Sequence, residues 1–232
     1  METNEQMERL LGIMERLRAE NGCPWDRAQT HESLKQYFLE EAYEVAEAID
    51  RQDNENLCEE LGDTLLQVVF HAQIAKEEGA FDFSDVARGI SDKMVRRHPH
   101  VFGNAVAETT SQVDANWEAI KRMEKGKQSP AQAVRDIPLA MPALMRAQKV
   151  LRKADAPANR AEDDLRRQVE QALQGPVGEE EIGALLLSVV LLARKFQVNA
   201  ELALTNATEQ FINRLEGTGE KAVFQDSRGN CR

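Results

Sequence analysis

With 232 residues and a net charge of -11, the chain is long enough to bury a sizeable core. It is poorly suited to passive binding of a nucleic-acid polymer, which needs clustered Lys and Arg. Hydrophobic residues at 42%, aromatics at 5%, 13 Gly and 7 Pro suit helices better than a turn-rich β architecture. Cys23, Cys58 and Cys231 are odd in number and form no CxxC pair, which argues against a zinc knuckle or a disulfide framework and fits a reducing cytoplasm.

The first residues carry no basic-then-apolar signal pattern, and the longest nearly apolar stretch, Ile182 to Ala193, is too short for a bilayer. The expectation is a cytoplasmic protein that does not bind membranes. Met7, Leu10, Leu11, Met14 and Leu17 then recur at steps of three or four and predict a helix over 5–19, stopped by Asn21-Gly22 and Pro24. A loop is expected from Cys23 to His31. A second helix runs to about Asp50, capped either by Ser33 with Gln36 or by Thr30.

After Gln52-Asp53-Asn54 a long helix is expected from Glu55 to Glu78, ending at Gly79, with Leu57, Leu61, Leu65, Val68, Ala72 and Ala75 as its inner seam. Ser84 caps a fourth helix that ends before Pro99. Residues 103–112 read as loop and Val113 to Lys125 as a short helix carrying Trp117. Three prolines break up the stretch from Gly126 to Pro142, and Gly217 to Arg232 reads as a disordered tail.

An internal repeat sets the larger organisation. Glu59 to Ala72 (EELGDTLLQVVFHA) aligns with Glu180 to Ala193 (EEIGALLLSVVLLA), and eight of the fourteen pairs are identical, including the Glu-Glu-x-Gly start. Duplication explains that better than chance likeness of two apolar helices. The expected fold is therefore all-α, with two related helical-bundle halves: a first over 1–125, a linker region over 126–160, a second over 161–216 and the tail over 217–232.

Chemistry concentrates in the first half. Glu40, Glu41 and Glu44 lie within one turn of each other, with Glu47 extending the stripe. On the next helix Glu60, Asp63, Gln67 and His71 occupy a strip about 80° wide at 100° per residue. With no Lys or Arg between Glu40 and Glu47 these carboxylates repel, so either their pKa values rise or cations bind. Hard oxygen ligands select magnesium, manganese or calcium, and magnesium commonly adds the phosphates of a substrate. A di-iron bundle is disfavoured, because no histidine has Glu three residues before it. Lys93, Arg96 and Arg97 can grip a polyphosphate. Trp25 and Tyr37 offer faces to a base, although the favoured reading has Trp25 packing its own loop.

Glu40-Glu41-Ala42-Tyr43-Glu44 followed by Glu60-Leu61-Gly62-Asp63 resembles the EExxE and ExxD pair of the MazG nucleoside triphosphate pyrophosphohydrolases. Asn21-Gly22-Cys23-Pro24-Trp25-Asp26, Gln29-Thr30-His31 and Arg96 to Gly103 (RRHPHVFG) are similar to the same family. The resemblance implies an all-α fold that dimerises through its bundles, and water attack at the α-phosphorus of a nucleoside triphosphate bound through Mg²⁺, with Mn²⁺ a possible substitute. It implies Glu41, Glu44, Glu60 and Asp63 as metal ligands and Glu40 as a carboxylate that orients or activates water. It further implies Lys93, Arg96 and Arg97 as the basic groups at the phosphates.

In some two-domain relatives the second half is thought to be the catalytic one, so the resemblance does not locate the activity. The repeat points to the first half, because Asp63 aligns with Ala184, and Glu40, Glu41 and Glu44 with Asp164, Leu165 and Gln168. Gln210 and Asn213 stand where Lys93 and Arg96 stood, and only Glu181 clearly survives. The second half reads as structural or regulatory. The competing reading is a non-catalytic nucleotide-sensing or protein-interaction helical module.

Overall fold

A computed structural model describes residues 2–124, 126, 129–154, 166–167, 169–170 and 178–218. They contain helices and no strand, in two compact units, Met1–Lys121 and Arg122–Arg232. The first unit holds α1 (Glu2–Arg18), α2 (Pro24–Ala28), α3 (His31–Arg51), α4 (Asn54–Glu77), α5 (Phe83–Arg97) and α6 (Pro99–Phe102). Helix α7 (Thr110–Glu124) carries the chain across the boundary. The second unit holds α8 (Pro130–Arg135), α9 (Ala143–Lys153), α10 (Glu179–Lys195) and α11 (Ala200–Thr218).

Local chemistry sets the boundaries. Thr30 caps α3 by accepting from the Ser33 N–H while the Ser33 hydroxyl accepts from the Thr30 N–H, so Thr30 is the cap and Gln36 plays no part in it. Gln52 ends α3 in the left-handed region (φ 56°), and Asp53 caps α4 through the N–H groups of Glu55 and Asn56. Gly79, at φ +71°, follows α4 where a side chain would be strained. Asp82, not Ser84, caps α5, because its carboxylate reaches the Asp85 N–H while Asp85 returns the bond to the Asp82 N–H.

Helix α4 is the centre of the first unit and packs on α3, α1 and α5. Met14, Leu34, Val69, Phe70 and Ile74 form the core, with Leu10, Leu11, Leu65, Leu66 and Phe83 against it. The expected single seam is corrected at both ends. Leu61 is 52% exposed, whereas Phe70 and Gln67 are buried, because neighbours on three sides cover more of the helix than one stripe allows.

The expected loop over 23–31 contains α2, started by Pro24 at the first helical turn. Arg18, its side chain 8% exposed, ties this segment down. Its Nε and Nη2 donate to Glu77 at 3.0 and 2.7 Å, its Nη1 donates to the carbonyls of Asp26 and Gln29, and its guanidinium lies over the Phe70 ring. Gly22 allows the chain to leave α1 so tightly, since a Cβ there would run into the carbonyls of Arg16 and Leu17. Arg18→Ala should lower stability by about 2–4 kcal/mol, from lost charge-assisted bonds and two orphaned carbonyls. Urea unfolding checks this, and a loss under about 0.5 kcal/mol would contradict it.

In the second unit Leu151, Val190 and Ala200 join α9, α10 and α11, with Leu144, Ala147, Leu191 and Ala193 around them. The segment 126–160 is thus more than a connection, because α9 supplies part of this core. The expected tail begins too early at Gly217, since α11 runs to Thr218; residues 219–232 lie outside the described part.

Candidate metal centre

Helices α3 and α4 form a hairpin through Gln52 and Asp53, so carboxylates from both helices meet across it. Glu41 from α3 and Glu60 and Asp63 from α4 each offer an oxygen, and these three atoms lie within 4.8 Å of one another. Among the described residues this is the one cluster of acidic or other ligating side chains that can hold a metal ion. Each member is partly buried.

The electrostatics match an ion-binding role. Burial, then the charges of Asp63 and Glu44, push the Glu41 carboxyl above the usual carboxylate range, against a lowering hydrogen bond from Gln67. Burial, then Glu44, Asp63, Glu59 and Glu47, push Glu60 the same way. Gln67 is 6% exposed, its Nε2 donates to Glu41 at 3.3 Å, and its Oε1 is buried with no partner. A set of mutually repelling hard oxygens beside an unused carbonyl fits a hard divalent cation.

The site residues expected from the sequence divide into groups. Of the EExxE carboxylates only Glu41 joins the cluster of three; Glu44 acts on both Glu41 and Glu60 through its charge. Glu40 instead accepts from Gln36 Nε2 at 2.9 Å, and Glu47 pairs with Arg51. Residues one turn apart on α3 share a side of the helix, but the cluster needs the facing helix. Lys93, Arg96 and Arg97 lie together on α5, which packs against α4, and the Arg97 guanidinium sits 5.2 Å from the centre of the Trp117 ring. Trp25 is 52% exposed and meets Tyr37 edge-on at 6.0 Å, so it is not enclosed by its own loop.

His98-Pro99-His100 joins α5 to α6. His98 Nδ1 bonds the Met94 carbonyl and its ring meets Trp117, with the two imidazoles 5.7 Å apart. The structure also brings together His31 and His71, a pairing that no local signal announces. Their rings stack and one Nδ1–H donates to the other Nδ1 at 2.7 Å. Burial, then His31, lowers the His71 pKa.

An all-helical fold that pools carboxylates from the facing helices of a hairpin, beside a helix bearing a basic triplet, has the donor set that a divalent cation needs. The MazG nucleotide pyrophosphohydrolase domain model matches residues 29–102, a span that contains the whole carboxylate cluster and the basic triplet. The nucleoside triphosphate pyrophosphohydrolase of Escherichia coli K12 is 46% identical over 90% of this chain and 86% of its own length. The nucleoside triphosphate pyrophosphohydrolase/pyrophosphatase MazG of Thermotoga maritima is 44% identical over 90% of this chain and 84% of its own length. A third relative, the nucleoside triphosphate pyrophosphohydrolase of Mycobacterium tuberculosis, is 34% identical over 97% of this chain and 62% of its own length. The chain belongs to the MazG nucleotide pyrophosphohydrolase family.

Proposed function

We propose that this chain hydrolyses nucleoside triphosphates to the monophosphate and pyrophosphate, using Mg²⁺ held by its first half. The observation that carries the reading is the meeting of Glu41, Glu60 and Asp63 within 4.8 Å, inside the span that the family model matches. Glu41, Glu44, Glu60 and Asp63 hold the ion, and Mn²⁺ can replace it. A bound ion would offset the carboxylate charge and supply Lewis acidity at the α-phosphate.

Glu40, oriented by Gln36, takes a proton from the attacking water while that water's oxygen forms the new bond to the α-phosphorus. The bridging bond to the β-phosphate breaks in step, and pyrophosphate leaves with the electron pair. Lys93, Arg96 and Arg97 steady the charge that grows on the leaving group. Trp25 and Tyr37, both exposed, take the base by stacking.

The second unit serves packing or regulation. Exposed Leu186, Leu187 and Val189 on α10 support a homodimer that buries them. The proposed partners are thus the nucleotide and a second copy, without a nucleic-acid polymer or membrane; no helix among the described residues is long and apolar enough to cross one. The test is pyrophosphate release from a panel of ribo- and deoxynucleoside triphosphates, with and without Mg²⁺. Release only with the ion is expected. Binding without release under every condition would replace the enzyme with a nucleotide-sensing module.

A further inference from the structure

We infer that Gln67 is a positioning residue of the site: its amide nitrogen fixes Glu41 in the ligating orientation, while its carbonyl accepts from a water brought in with the divalent ion. The inference rests on the proposed metal-dependent reaction and deepens it. Gln67 projects from α4 one turn after Asp63 and is the only polar side chain among the buried residues of the described part. A buried amide forfeits hydration, which is costly unless its hydrogen bonds are met. Only half of them are: Nε2 donates to Glu41 Oε1 at 3.3 Å, and Oε1 meets nothing.

The direction of the amide follows from its partner. An ionised carboxylate only accepts, so the nitrogen must face Glu41 and the carbonyl must face away. Thr64, on the neighbouring turn beside Asp63, has a buried hydroxyl that is also without a partner. A fold with no use for a polar group at position 67 would be more stable with an apolar residue there, so the unmet Gln67 carbonyl points to a polar partner that arrives with the ion. A ligand carboxylate held by a hydrogen-bonding neighbour keeps its orientation, and loss of such neighbours typically weakens metal affinity by about 10–100-fold.

Gln67→Met keeps the length and volume of the side chain but removes both the donor and the orphan acceptor. A structural role predicts a lower melting temperature and unchanged ion binding. Positioning predicts the reverse: without metal, a melting temperature equal to or above wild type, and Mn²⁺ affinity by calorimetry weakened about tenfold or more. The kcat for pyrophosphate release should fall with little change in nucleotide KM. If Gln67→Met does not fold, Gln67→Asn keeps the amide but falls a methylene short, and it should weaken Mn²⁺ binding likewise. Wild-type Mn²⁺ affinity in a folded variant overturns the inference alone. Absence of Mn²⁺ uptake by the wild-type protein overturns the proposed function with it.

Discussion

Asp63→Ala should reduce Mg²⁺-dependent pyrophosphate release by about a thousandfold, the scale of several kcal/mol of lost charge stabilisation, while Glu181→Ala leaves most of the activity. The two substitutions differ in what each carboxylate does. Asp63 raises the pKa of both Glu41 and Glu60, so its removal relieves repulsion and should leave the metal-free fold intact or firmer. Glu181, which aligns with Glu60 in the repeat, turns back to accept the Gly178 N–H at 2.9 Å and caps α10. Its loss should cost about 1 kcal/mol of stability, as for other caps. Steady-state rates and melting curves on both variants provide the check. Equal loss of turnover in the two would refute the assignment of chemistry to the first unit.

Mg²⁺ should raise the melting temperature by several degrees near neutral pH, and by less as pH falls toward the raised folded-state values of Glu41 and Glu60; about 2.7 kcal/mol is expected at a hundredfold excess over Kd. The sign follows from the raised carboxyls. Glu41 and Glu60 bind protons more tightly folded than unfolded, so the metal-free protein loses stability as pH climbs from the ordinary value of 4.5 through their folded-state values. Glu77, held low by Arg18, works the other way: its stability is present above 4.5 and lost as pH falls through its lowered value. His71, depressed by burial and by His31, adds stability as pH rises through its lowered value up to 6.5 and nothing beyond. Comparing melts with and without Mg²⁺ at each pH cancels the Glu77 and His71 contributions, since neither belongs to the ion cluster. Asp63→Ala should flatten the difference, and an Mg²⁺ shift that stays constant from about pH 7.5 down to the ordinary carboxylate value of 4.5 would contradict the picture.

Much of this was legible in the chain because its signals are local. Apolar residues at steps of three and four, with Asp53 and Gly79 as punctuation, gave the long central helix nearly to its ends. Caps were less legible, because Ser33, Thr30, Asp82 and Ser84 all have suitable oxygens and only the backbone geometry selects between them. The α2 turn was missed because five residues are too few for a period to show.

The site shows the same division. Charge and periodicity are properties of neighbours along the chain, and they suffice for an all-helical chain with acidic residues massed on two consecutive helices. Which carboxylates meet depends on how the helices pack. Pairing α3 with α4 selects Glu41 over Glu40, buries Gln67 against it and brings His31 onto His71, contacts between residues that share no turn of helix. Helical spacing fixes which side of its own helix a residue occupies, whereas packing fixes what that side faces.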